Sequence, residues 1–339
     1  MVNQTNNLKK NLNLLTLTLL STLSIVSNVH AAGVSPMGAL GDLTASMMED
    51  RGPAVIKRKV AVVDNGFDVN HPELKKNLSK GYNGRDNTND VNASIIMDKN
   101  HHDVGKIANH GTHVAGIVAG ITPNVELVPY KTGARGHRTT AGIVADLKEI
   151  LNKDDETIVN LSFGFNWNDM IDPIVALAQK GKTVVLAAGN EGEFVYDQYI
   201  SSHGKMLSQI LKGLSGRVVF VAATETKEGV QKLTSFSNKA SPTMSEFFIA
   251  AHGKNVNSTV PFDTDVTGKK EFSGTSMAAP VYAAAIRKLA DRFGVTEDRA
   301  REALFTTAKK LDPKMGQGVM DFPAAWNLLK GEATLPVTY

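Results

Sequence analysis

Ser276 lies in the run Phe272-Ser273-Gly274-Thr275-Ser276-Met277-Ala278-Ala279-Pro280, a serine among small residues just before a helix-like stretch. A turn of that kind sets a hydroxyl beside outward-facing backbone N–H groups at the positive end of a helix, where negative charge is stabilised. A serine hydroxyl is a weak nucleophile at neutral pH, so chemistry there needs a base. His110, in Asn109-His110-Gly111-Thr112-His113-Val114-Ala115-Gly116, offers an imidazole at the start of a second helix-like run. Asp64 follows the apolar run Val60-Ala61-Val62-Val63 and carries a carboxylate to the C-terminal end of a buried strand, the edge at which open parallel sheets react. Alone, the Ser276 run reads as a small-residue helix start. With His110 and Asp64 it has a base and a group to orient that base.

The order Asp, His, Ser resembles the subtilisin-like serine peptidases, or subtilases. The likeness runs from about Val60 to about Ala325. It implies an α/β subtilisin-like three-layer sandwich, a mostly parallel central sheet flanked by helices. It also implies a serine endopeptidase in which Ser276 forms the acyl-enzyme, His110 is general base and Asp64 orients the imidazole. Gly189-Asn190-Glu191-Gly192 follows the apolar run Thr183–Ala188, and the family's asparagine at this place gives its side-chain amide to the oxyanion hole; Asn190 is the match. By the same likeness a peptide is gripped as an added strand between Ser162-Phe163-Gly164 and Gly136-His137-Arg138, with Ala188 and Gly189 lining the primary pocket. Arg135, His137 and Arg138 make one rim basic. That rim is either a solvated loop or a preference for acidic side chains on the amino side of the cleaved bond. His113, one turn beyond His110, reads as a packed or locally bonded histidine with no part in catalysis.

Strand–helix alternation from Val60 onward supports one α/β domain. Strands are expected at Val60–Val63, Val125–Tyr130, Thr157–Ser162, Thr183–Ala188, Val218–Ala223 and Phe247–Ala251, each apolar or β-branched. Helices are expected from His110, and over Thr139–Asn152, Asp169–Gln179, Ser276–Arg292, Thr296–Thr307 and Pro323–Leu329. Pro280 is expected in the opening turn behind Ser276, where a proline costs little. Lys180-Gly181-Lys182-Thr183 lacks the first glycine of a phosphate loop and precedes a strand, so Gly181 reads as a helix stop. No Gly-x-Ser-x-Gly elbow occurs, which argues against an α/β-hydrolase.

The 339 residues carry a formal charge of +3 and no cysteine, which excludes disulfides. Lys9 and Lys10 precede an acid-free apolar run from Leu12 to Val26, then Val29-His30-Ala31, the pattern of a signal peptide over 1–31 cut after Ala31 or Ala32. The run is shorter than the roughly 20 residues of a membrane span. Losing two lysines and no acids leaves 35 basic against 34 acidic residues, +1, which gives no support for nucleic-acid or membrane partners. A secreted or periplasmic, monomeric protein acting on polypeptides is expected.

Residues 32–59 form a short lead-in, too short for a folded pro-domain, so the chain folds alone or is handled by a separate partner. The catalytic domain is expected over 60–330, with 331–339 a tail and no translocator domain after it. No cofactor is required. The short Gly120–Pro123 link makes the tight calcium loop of many relatives improbable, while Asp86-Asn87-Thr88-Asn89-Asp90 reads as a polar loop or a weak calcium site at Asp86 and Asp90. His101-His102-Asp103 reads as solvated rather than metal-ligating. Asn65 stands where the family usually has Ser or Thr, His252 where it has proline, and no histidine follows Pro280. A fold-retaining binding or toxin-like module, or an enzyme with a single dedicated substrate, is the alternative. The complete set Asp64, His110, Asn190 and Ser276 favours the endopeptidase.

Overall fold

The computed structural model describes residues 58–93, 95–97, 103–107, 109–134 and 137–333. The expected signal peptide, nearly all of the lead-in, His101, His102, Arg135 and Gly136 lie outside them. The central sheet is built from β1 (Lys59–Asp64), β2 (Tyr82–Asn83), β3 (Glu126–Lys131), β4 (Glu156–Leu161), β5 (Thr183–Ala187), β6 (Val218–Lys227), β7 (Val230–Leu233) and β8 (Phe248–His252). Its order is β7-β6-β5-β4-β1-β3-β2, with β8 also paired to β6. Every pairing is parallel except the β6–β7 hairpin.

Parallel strands are covered on both faces and therefore read as continuous apolar runs. Val60 and Val62 of β1 face one core layer; Ala61 and Val63 face the other. Against the first lie α1 (His110–Ile121), α5 (Thr275–Phe293), α6 (Glu297–Thr306) and α7 (Phe322–Ala333). Against the second lie α2 (Thr140–Leu151), α3 (Trp167–Gln179) and the short α4 (Leu207–Lys212). The three layers expected from sequence are these.

Caps set the helix ends. The Thr139 side chain accepts from Gly142 N, Asn166 from Asn168 N and Thr296 from Arg299 N. Helix α3 therefore begins at Trp167, two residues before its expected start. Lys180 caps its C-terminus, and Gly181 takes φ +91° just beyond. Helix α7 runs to Ala333 through Gly331, so the tail expected from residue 331 is partly helix.

Pro280 corrects a second expectation. In a helix starting at Thr275 it is the sixth residue, in the second turn rather than the first. Its missing N–H leaves the carbonyl of Ser276 without the usual helical donor. The Ser162 hydroxyl fills that place, donating to Ser276 O at 3.0 Å.

Candidate active site

Sheet register gathers the site at one edge. Val63 pairs with Leu161 and Leu161 with Leu186, so Asp64, Ser162 and the Ala188–Gly189 stretch leave neighbouring strands at one level. Ala187 pairs in turn with Val221. Helix α1 presses against this edge because Gly111 has no side chain. A Cβ there would lie 2.4 Å from Gly66 O and 3.0 Å from Asp64 Cβ. That approach sets His110, the first residue of α1, over Asp64.

Asp64 is fully buried. Its Oδ2 lies 2.7 Å from His110 Nδ1, and its Oδ1 accepts from Asn65 N at 2.7 Å. A carboxylate only accepts, so the imidazole carries its proton on Nδ1 and keeps Nε2 basic. Asn65 uses its own side chain at the same place, its Oδ1 accepting from Gly111 N at 3.3 Å in the first turn of α1.

Ser276 is the second residue of α5 and half-buried. Its hydroxyl donates to the carbonyl of Ser162 at 2.9 Å, while Ser162 Oγ accepts from Asn160 Nδ2 at 2.9 Å. As a first-turn residue, Ser276 has a backbone N–H with no helical acceptor.

Asn190 is exposed at the same edge. Its Oδ1 accepts from Thr275 N at 2.9 Å and Thr275 Oγ1 at 3.0 Å, while that hydroxyl accepts from Gly189 N at 3.1 Å. With Oδ1 committed to two donors, Nδ2 is the face of the amide left to meet an anion. Sequence reading missed Thr275, although it sits in the quoted run. Asn190 Nδ2 and Ser276 N thus both face the Gly274 position, each 3.6 Å from where a Cβ there would lie, at the sheet edge that also carries half-buried His110 and buried Asp64.

The residues expected to bind peptide are placed as follows. Ser162 and Phe163 are buried and Gly164 is exposed, with Phe163 edge-on to Phe165 at 6.2 Å. Ala188 is buried and Gly189 adopts φ +107°. His137 and Arg138 form a two-residue ladder with Gly133–Ala134, shortly after β3 at the same end of the sheet.

His113 is fully buried, stacked on Phe272 at 4.4 Å, with Nε2 2.9 Å from Lys270 O; burial pushes its pKa down to about 4, so it is neutral near pH 7. His252 is also buried and held below its ordinary range by desolvation.

In the acidic loop, Asp86 Oδ2 accepts from Asn83 Nδ2 at 3.1 Å, and Asp90 Oδ1 accepts from Asn92 N and Nδ2 at 3.0 and 2.8 Å. Those bonds hold the Asp90 carboxyl below the usual range. Arg85 lies 3.7 Å from Asp86, and Lys131 Nζ donates to Asn92 O at 2.7 Å. Among the described residues no three His, Cys, Asp or Glu side chains converge as a metal site. No helix among them is long and apolar enough to cross a membrane.

A family model described as the subtilase family matches residues 57–322. The thermophilic serine proteinase of Bacillus sp. (strain AK1) is 30% identical over 268 residues, 75% of this chain and 57% of that protein. This chain therefore spans little more than half of that relative. Subtilisin DY of Bacillus licheniformis is 27% identical over 301 residues, 84% of this chain and 96% of its own. Fervidolysin of Fervidobacterium pennivorans, a keratinolytic enzyme related to subtilisin, superposes with TM-score 0.59 at 24% identity, covering 80% of this chain and 42% of that one.

Proposed function

The chain belongs to the subtilase family, and from that premise we propose that it is an exported serine endopeptidase with Ser276 as nucleophile. The observation that carries the reading is the 2.7 Å bond from His110 Nδ1 to buried Asp64, at the sheet edge where Ser276 opens α5.

In the proposed reaction the Ser276 hydroxyl turns from the Ser162 carbonyl to His110 Nε2. It attacks the scissile carbonyl as the imidazole takes its proton. Asn190 Nδ2 and Ser276 N–H meet the oxyanion. Asp64 stabilises the imidazolium, which then protonates the leaving amine. Water, deprotonated by the same imidazole, hydrolyses the acyl-enzyme and returns the serine. None of these steps needs a metal or cofactor.

Extended peptide lies between Ser162–Gly164 and Gly136–Arg138, its side chain entering a pocket beside Ala188 and Gly189. The basic rim of Arg135, His137 and Arg138 selects acidic residues on the amino side of the cleaved bond. The N-terminal basic-then-apolar run directs export, and the released protein acts as a monomer, folding alone or with a separate partner. The Asp86–Asp90 loop binds calcium weakly at most, since its carboxylates are held by Asn83 and Asn92 beside Arg85 and Lys131.

A fluorophosphonate probe tests the reading. It is expected to label Ser276 in the folded chain, with labelling lost in Ser276→Ala and His110→Ala, and the parent is expected to cleave many sites in a proteome digest. Folded parent that neither labels nor cleaves overturns the proposal in favour of a binding module. Labelling with a single cleavage site favours a dedicated substrate.

A further inference from the structure

Asn190 sits on an exposed loop, yet a donor that stabilises a transient charge must be held in place before the charge appears. Thr275 fixes its side-chain oxygen. The backbone on either side of it is held by Asn238, from a distant stretch of chain. Asn238 Oδ1 accepts from Glu191 N at 3.1 Å and Glu193 N at 3.0 Å. Its Nδ2 donates to Ala188 O at 3.1 Å and Glu191 Oε2 at 2.7 Å. Its own N–H donates to Gly189 O at 3.0 Å.

Those bonds bracket Asn190 from Ala188 to Glu193. The anchor is itself rigid: fully buried Ser237, the preceding residue, accepts from Ala223 N of β6 at 2.9 Å. Two backbone bonds continue the clamp, Gly192 N to Phe236 O and Lys239 N to Glu193 O, both 2.8 Å. Gly189 makes room for the amide, since a Cβ there would come within 2.3 Å of Asn238 Nδ2. The side chain must accept on one face and donate on the other, which an aspartate cannot do and a serine cannot reach to do.

We propose that Asn238 is a positioning residue for the oxyanion hole, clamping the 188–193 loop so that Asn190 Nδ2 points at the reacting carbonyl. The inference rests on the endopeptidase reading above. Glu191 is its partner in the clamp, through the bond to Nδ2.

The test compares the full chain, Asn238→Ala, Asn238→Asp and the pair Asn238→Asp with Glu191→Gln on one chromogenic peptide, with thermal melting of each. A misplaced donor costs up to about 10²-fold, so Asn238→Ala is expected to lower kcat about tenfold to hundredfold with KM within about threefold. Asn238→Asp alone sets two carboxylates in contact and fares no better. In the pair, the amide introduced at 191 donates to the carboxylate introduced at 238, so part of the lost kcat returns while the Ala188 carbonyl stays without its donor. An Asn238→Ala variant within about twofold of an active parent overturns the inference and leaves the endopeptidase reading standing. So does a loss that tracks a lower melting temperature and a changed KM, with the pair no better than Asn238→Asp. A folded parent without turnover overturns the endopeptidase reading, and the inference with it.

Discussion

Ser162 and Ser276 are joined twice, each hydroxyl donating to the other's backbone carbonyl, at 3.0 and 2.9 Å. One of those bonds exists because Pro280 withholds the helical donor of Ser276 O. Ser162→Ala strands that carbonyl and Asn160 Nδ2, an expected loss of about 1–2 kcal/mol in stability and about tenfold in kcat. Pro280→Ala, which restores the N–H, is expected to recover part of both in the Ser162→Ala background. A double-mutant cycle measured by chemical unfolding and turnover checks the coupling; strict additivity would refute it.

In the proposed reaction Asn190→Ala removes the amide that meets the oxyanion. The expected fall in kcat is about 10²–10³-fold, the known cost of deleting one such donor in subtilisin, with KM little changed. Thr275→Val keeps the shape but loses the bonds to Asn190 Oδ1 and Gly189 N, and about a tenfold fall is expected. Thr275→Ser should recover most of that fall, and steady-state kinetics on one peptide orders the three variants.

Asp146 on α2 is fully buried; its Oδ1 accepts from Gly84 N at 2.7 Å, and its Oδ2 has no partner. Burial raises its carboxyl from 3.8 to about 8, against the pull of the Gly84 bond. The folded chain therefore holds this proton where the unfolded chain has lost it, so the stabilisation is full below pH 3.8 and is lost as pH rises through 8. Buried Glu156, raised to about 7, acts in the same direction. Asp146→Asn is expected to flatten the alkaline decline, gaining about 1–3 kcal/mol at pH 9 relative to the parent, as read by melting curves across pH.

His113 acts on the opposite flank. Its folded value near 4 lies below the ordinary 6.5, so its contribution is complete above pH 6.5 and is lost as pH falls through 4. His113→Gln is expected to shallow the acid limb of the same melting series while lowering stability at pH 7 through the lost stack on Phe272.

Arg287 is almost wholly buried in α5, bonded to Asp291 at 2.9 and 2.6 Å and to Glu297. Removing one member of a buried ion network leaves the others uncompensated, at about 3–5 kcal/mol. Glu297→Ala is expected to cost that much by chemical unfolding, with kcat at permissive temperature unchanged, because the network lies away from the reacting groups.

The strands were legible because buried parallel strands are written as unbroken apolar runs, and Asp64, Ser162 and Asn190 follow the ends of three of them. What escaped depends on long-range partners. Asn238 meets its acceptors and donors near Asn190 only after folding, so nothing local marks it. Ser162 looked like a binding edge; its hydroxyl's task appears only when Pro280 is counted from the true start of α5. The last helix, expected to end at Leu329, continues through Gly331 to Ala333, where Glu332 accepts from Arg299 Nε at 3.1 Å. The β6–β7 hairpin turns at Glu228-Gly229, both with positive φ, a short Gly-containing link that strand–helix alternation does not predict.

Strand β1 lies between β4 and β3 in the middle of the sheet, and Arg58, just before it, donates to Glu297 at 3.0 Å and to Val295 O at 3.2 Å. Losing β1 would take away the hydrogen-bonding partner of both β4 and β3 at once, so this one interior strand joins the two parts of the sheet and the Arg58 bonds moor its entry.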